Sequence, residues 1–172
     1  SCSNTEACNC LTSTKSPLST KLSDFGLSKL AEFAGQSSGQ FAGTLLYMAP
    51  ERLQGGPGTR DHLSSDIYSF ALVCWELAMY AINGKYVRVL EDELKMREVT
   101  NLNDAINLIA KGSVHCLSHL REGSTLYALL KSCMMQVSTQ RPRASAVLAS
   151  LMQNRDTIAR EIDDLKSAQD RM

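Results

Sequence analysis

Asp24-Phe25-Gly26, then Gly43-Thr44, then Tyr47-Met48-Ala49-Pro50-Glu51: this ordered stretch decides how the rest of the 172-residue chain is read. Any one tripeptide turns up by chance in roughly a few per cent of chains of this size, so the order of the signatures, not either alone, carries the inference. Between them, residues 34–39 offer Gly, Ser and Gln with no apolar face to bury, the composition of a surface loop. Residues 20–23 suit a short strand running into Asp24, and Gly55-Gly56-Pro57-Gly58 marks a turn beyond Glu51.

Working outward, residues 1–18 are rich in Ser, Thr, Asn and Cys, show no periodicity and end in Ser16-Pro17, which reads as loop. On the other side a helix is expected to begin at Ser64 or Ser65, whose hydroxyl can accept from an unpaired first-turn N–H, with Asp66 favouring the positive end of the dipole. From Ile67 to Met79 apolar residues leave little polar surface on any side, the pattern of a helix in the middle of a domain. Further helices are expected over 91–99 and 102–110, broken near Thr100-Asn101 and stopped by Gly112, then over 126–136, and a last one from Ala144. In that last helix Leu148, Leu151, Ile158, Ile162 and Leu165 recur at spacings of three, four and seven. A surface helix with one docked stripe explains them; a coiled-coil dimer would place Arg155 in its seam.

A chain of this length fits one domain and buries on the order of 70% of its extended surface, so a core forms without covalent staples. Lys plus Arg (18) balance Asp plus Glu (18), which gives no field attractive to nucleic acid or an anionic membrane; neither is expected as a partner. The apolar run 70–82 is interrupted by Glu76 and too short to cross a bilayer. Six scattered cysteines with no secretory leader before them imply reduced thiols and a cytoplasmic or nuclear setting. No internal repeat is present, and the oligomeric state is left open.

The opening signatures resemble the activation segment of protein kinases. Ser65-Asp66-Ile67-Tyr68-Ser69-Phe70 and Trp75-Glu76-Leu77 resemble the large central helix of the kinase C-terminal lobe, and Gln140-Arg141-Pro142 resembles the arginine before its final helix. Over residues 20–152 the chain thus looks like the C-terminal lobe of a eukaryotic-type protein kinase, with wording similar to the tyrosine-kinase-like Ser/Thr group. The resemblance implies a mainly α lobe with a central buried helix and a short β-hairpin remnant, the upper lobe being absent. It implies an irregular or degenerate catalytic-loop segment at 1–18, a partial kinase domain at 19–152 (activation segment 24–51, central helix 65–80), and a C-terminal helical extension at 153–172.

By the same resemblance Asp24, Phe25, Gly26 and Asn9 would form the cofactor-binding set: Asp24 would hold the Mg²⁺ that bridges the ATP phosphates, with Asn9 as second metal ligand, and Phe25 would pack under the missing upper lobe. Gly26 allows the backbone to swing where a Cβ would resist. The plain alternative for Asp24 is an aspartate in a turn before glycine. Thr44 would contact the catalytic aspartate, or be an ordinary turn hydroxyl. Glu51 and Arg141 resemble the buried ion pair that anchors the end of the activation segment. Asp66 would accept from the catalytic-loop backbone, or simply cap its helix. Ser28, Ser37 and Ser38 lie where phosphorylation could order the loop, although exposed serines are common. Protein substrates or protein partners are the implied clientele.

Some of the family's pattern is missing. A kinase also needs a Gly-rich loop, a strand lysine, a helix glutamate, and a catalytic loop reading H-R-D-L-x-x-x-N. Aligning Asn9 with the metal-binding asparagine puts Cys2-Ser3-Asn4 where His-Arg-Asp should stand; alternatively, residues 1–18 are unrelated sequence. An asparagine cannot serve as general base, a loss worth around 10² to 10⁴ in rate. Residues 81–114 depart from the usual Pro-containing loop and form a lineage-specific loop or a partner surface. His115, Cys116 and His119 lack a second ligand pair, so Cys116 reads as a core thiol rather than a zinc ligand. Three functions compete: a partial Ser/Thr kinase domain inactive by itself, a pseudokinase-type interaction module, and a helical adaptor with accidental motifs. The adaptor alone expects Glu51 and Arg141 far apart.

Overall fold

A computed structural model describes residues 21, 46–53, 62–86, 94, 95, 97–99, 101–112, 117 and 120–171. The chain divides into units 1–37 and 38–172, and every described residue except Lys21 belongs to the second, to which the following refers. Its helices are α1 (Pro50–Leu53), α2 (His62–Asn83), α3 (Leu102–Ala110), α4 (Thr125–Cys133), a 3₁₀ turn (Ser138–Gln140), α5 (Ala144–Gln153) and α6 (Arg155–Gln169). No strand occurs among the described residues; the strand expected over 20–23 lies outside them apart from Lys21, which is in no regular element.

The 22-residue α2 organises the unit. Ile67, Tyr68, Ala71, Leu72, Trp75, Ala78, Met79 and Ile82 recur at three- and four-residue steps and form its buried face. Against this face pack α4 and α6, bringing Leu126, Leu129, Leu130 and Cys133 from the first and half-buried Ile158, Ile162 and Leu165 from the second. Val147 of α5, Ala49 and Leu120 complete the cluster. The expectation of a helix buried all round is corrected: Leu63, Phe70, Val73, Leu77 and Tyr80 are exposed along the opposite side. The physical reason is one-sided packing, since both partner helices contribute to the same core cluster. Among the described residues no helix is long and apolar enough to cross a membrane.

Several helix ends differ from the sequence reading. The central helix begins by His62 rather than at Ser64 or Ser65, so Asp66 lies beyond its first turn. Ser65 is buried and its hydroxyl donates to Glu51 at 2.9 Å instead of capping. The helix expected over 126–136 stops at Cys133, because the carbonyls of Met135 and Gln136 turn toward Arg141. The single last helix is two: at Asn154 the backbone leaves the helix (φ −107°, ψ 12°) and the side-chain amide donates to Ser150 O at 2.9 Å. Of the segment 91–99, residues 94 and 95 are helical and Arg97-Glu98 form a turn, with Glu98 at φ 55°.

Where cap chemistry is local, the expected ends hold. In α3, Asn101 accepts from Asp104 N at 2.8 Å, and Gly112 follows the helix at φ 66°, its N–H donating to Ile109 O at 2.9 Å. A Cβ on Gly112 would also meet Gln136 Oε1 at 2.6 Å. Ala105, Ile109 and Ala110 are buried on α3, which packs against α1.

Candidate functional site

Pro50 opens α1, the position where its missing N–H costs nothing, and the amides of Arg52 and Leu53 donate to Ala49 O at 2.9 and 3.3 Å. Ala49 and Pro50 are buried, so this single turn is pinned to the core and holds Glu51 at a fixed angle. The structure brings Arg141 to it: Nη1 lies 2.7 Å from Glu51 Oε1 and Nη2 2.7 Å from Oε2, a two-pronged pair across 90 residues of sequence. Remaining Arg141 donors reach Met135 O (2.7 Å), Ser64 O (3.0 Å) and Gln136 O (3.5 Å), and the guanidinium lies 5.0 Å from the centroid of the Tyr68 ring. A side chain at 0% exposure thus ties α1, α2 and the residues after α4 together. Partial burial works to raise the Glu51 carboxyl, but the hydrogen bonds from Arg141 and Ser65 outweigh it and hold the group below its ordinary value.

A second knot lies one turn upstream. Glu76 is 8% exposed, and the Tyr47 hydroxyl donates to its carboxylate 2.9 Å from each oxygen. The Tyr86 hydroxyl donates to Oε2 at 3.2 Å. Ser69 donates to Tyr47 O at 2.7 Å, so main chain and side chain of Tyr47 are both fastened to α2. Burial pushes the Tyr47 phenol well above its ordinary range, and hydrogen bonding to Tyr86 and Glu76 acts in the same direction. Ser65, Ser69, Tyr47 and Tyr86 are the residues sequence reading missed. One signal pointed to the two tyrosines: Glu76 is the only charge in the apolar run 70–82, and a buried carboxylate requires donors from elsewhere.

Asp66 is exposed on α2. Asp24, Phe25, Gly26, Asn9, Thr44, Ser28, Ser37 and Ser38 lie outside the described residues, as does Cys116 with its neighbouring histidines. Among the described residues no group of three or more His, Cys, Asp or Glu is gathered that could hold a metal ion. Cys74 and Cys133 are free; burial pushes the Cys74 thiol up to about 11, with Cys133 adding to the effect, so neither is a thiolate near neutrality.

A family model described as protein tyrosine and serine/threonine kinase matches residues 4–151. A probable serine/threonine-protein kinase of Dictyostelium discoideum is 31% identical over 132 residues, 76% of this chain and 15% of that protein. The serine/threonine-protein kinase STY17 of Arabidopsis thaliana is 29% identical over 147 residues, 84% of this chain and 22% of that protein. The serine/threonine-protein kinase CTR1 of the same plant is 47% identical over 58 residues, 34% of this chain and 7% of that protein. The chain therefore spans a minor part of the curated relatives it matches. With the family model covering most of its length, the chain belongs to the protein tyrosine and serine/threonine kinase family.

Proposed function

We propose that residues 19–152 are the substrate-side helical part of a protein serine/threonine kinase of the tyrosine-kinase-like group, and that these 172 residues alone transfer no phosphate. The observation that carries the reading is the Glu51–Arg141 pair, 2.7 Å at both prongs, which fixes the turn after the Tyr47-Met48-Ala49 stretch onto the α2–α4 framework. A helical adaptor with accidental motifs gives no reason for that contact. Relatives described as serine/threonine-protein kinases support the choice of hydroxyl. In this reading Asp24 and Asn9 would hold Mg²⁺ and ATP, Thr44 would sit beside the catalytic aspartate, and the chain's partner is a protein substrate. Bound ATP would supply the transferable phosphoryl group; this chain's described residues hold the backbone frame that presents a protein hydroxyl to it.

The pseudokinase-type interaction module is the second reading, favoured by Asn4 standing where a catalytic aspartate is expected. Two chimeras separate the readings. Residues 19–152 placed behind the upper lobe and intact catalytic loop of an active Ser/Thr kinase should phosphorylate a generic protein substrate with Mg-ATP. The same chimera retaining residues 1–18 in place of that loop should be slower by around 10² or more. An inactive first chimera sinks the kinase reading, and equal activities sink the degenerate-loop reading. The purified chain alone should incorporate no phosphate; incorporation that disappears in Asp24→Ala would overturn its inactivity.

A further inference from the structure

Tyr86 stands just past the end of α2, after a turn through Gly84 at φ 66°, with exposed Lys85 before it. The residue is 62% exposed, yet its hydroxyl reaches back to the buried carboxylate of Glu76. Glu76 accepts from two phenols of opposite character: Tyr47, half-buried and itself held through its carbonyl by Ser69, and Tyr86, open to solvent. One carboxylate therefore joins an accessible side chain to the residues that lead into Ala49, Pro50 and Glu51.

We propose that Tyr86 is a phosphate-acceptor site for a protein-tyrosine kinase acting in trans, and that the modification is read through Glu76 as a loosening of Tyr47 and the turn that follows it. The other described tyrosines serve less well. Tyr68 is buried, Tyr47 and Tyr127 are half-buried, and Tyr80, although exposed, lies within α2, where a kinase cannot draw the backbone out straight. Tyr86 is exposed and outside any helix. In the modification its phenolic oxygen attacks the γ-phosphorus of ATP, the bond to the ADP leaving group breaks, and the phenolic proton passes to the base of the modifying kinase. The product carries about two negative charges and no donor, so it cannot keep the bond to a carboxylate. Like charge drives the ring outward, and water enters where the phenol lay, leaving Tyr47 the remaining phenolic donor to Glu76.

The test treats the purified full chain with a broad-specificity protein-tyrosine kinase and Mg-ATP, maps phosphate by mass spectrometry and follows amide hydrogen exchange. The proposal expects phosphate on Tyr86 in at least about tenfold excess over Tyr80, and exchange over residues 46–53 faster by about threefold or more. Tyr86→Phe, which also removes the donor to Glu76, should take no phosphate there and show no kinase-dependent acceleration relative to its own untreated form. Glu76→Gln, if it folds, should accept phosphate on Tyr86 with a smaller acceleration. Phosphate confined to other tyrosines overturns the proposal. Unchanged exchange in a chain phosphorylated on Tyr86, or acceleration that persists in Tyr86→Phe, does the same.

Discussion

Deleting the Arg141 guanidinium would leave the Glu51 carboxylate, 18% exposed, against the Ser65 hydroxyl with its main charge partner gone. Arg141→Ala should therefore lower unfolding stability by about 3 kcal/mol in urea titration, and replacing both partners by apolar residues should recover much of that loss, because the remaining charge no longer has to be buried. Acid acts on the same chemistry. Glu51 and Glu161 are each held below the ordinary 4.5, Glu161 because amide donors at Thr125 N (2.7 Å) and Leu126 N (3.1 Å) outweigh partial burial. Both folded values lie beneath the unfolded ones, so their stabilisation is complete above about pH 4.5 and disappears as pH falls through the lowered folded value. Thermal midpoints should fall between about pH 7 and about pH 3, and Glu161→Gln should start lower at neutral pH yet converge with the parent in acid. Glu51 and Arg141 could each be picked from the sequence because each sits in a short motif. Glu76 and Tyr47 could not be paired, since 29 residues separate them and only packing sets the match.

At the scale of elements, sequence periodicity located the helices and local chemistry fixed some of their ends. The apolar spacing of α2 was visible, and so were the Asn101 cap and the Gly112 stop of α3. Other ends were not: Ser65 is engaged by Glu51 inside a helix already begun by His62, the carbonyls after α4 turn to Arg141, and at Asn154 the side-chain amide reaches Ser150 O, four residues back, at a break that the apolar spacing does not mark. That only one face of α2 is buried was not legible, because helix periodicity counts apolar residues and not the neighbours available to cover them. Gly112 gives a direct check. A side chain there meets both left-handed backbone (φ 66°) and Gln136 Oε1, whereas Gly84 has the same φ and open space. Gly112→Ala should cost more than Gly84→Ala, the latter about 1 kcal/mol, in paired denaturation midpoints.

For the whole molecule, the kinase-C-lobe-like unit is built around one helix with a filled side and an open side. Leu72 and Leu77 sit on the same helix but face opposite ways, the first 2% and the second 62% exposed. Leu72→Ala should cost about 2 to 5 kcal/mol, while Leu77→Lys should stay within about 0.5 kcal/mol of the parent by thermal or chemical melting. A large loss in Leu77→Lys would mean that the outer face is covered in solution. At the centre of the filled side is Trp75, 1% exposed, the chain's single tryptophan, with an indole nitrogen that meets no acceptor among the described residues. The molecule consequently carries its own optical gauge. Emission excited at wavelengths that tyrosine does not absorb comes from this one buried ring, so its colour and intensity report the integrity of the interior without any attached dye, and a shift to longer wavelength marks the moment solvent arrives there.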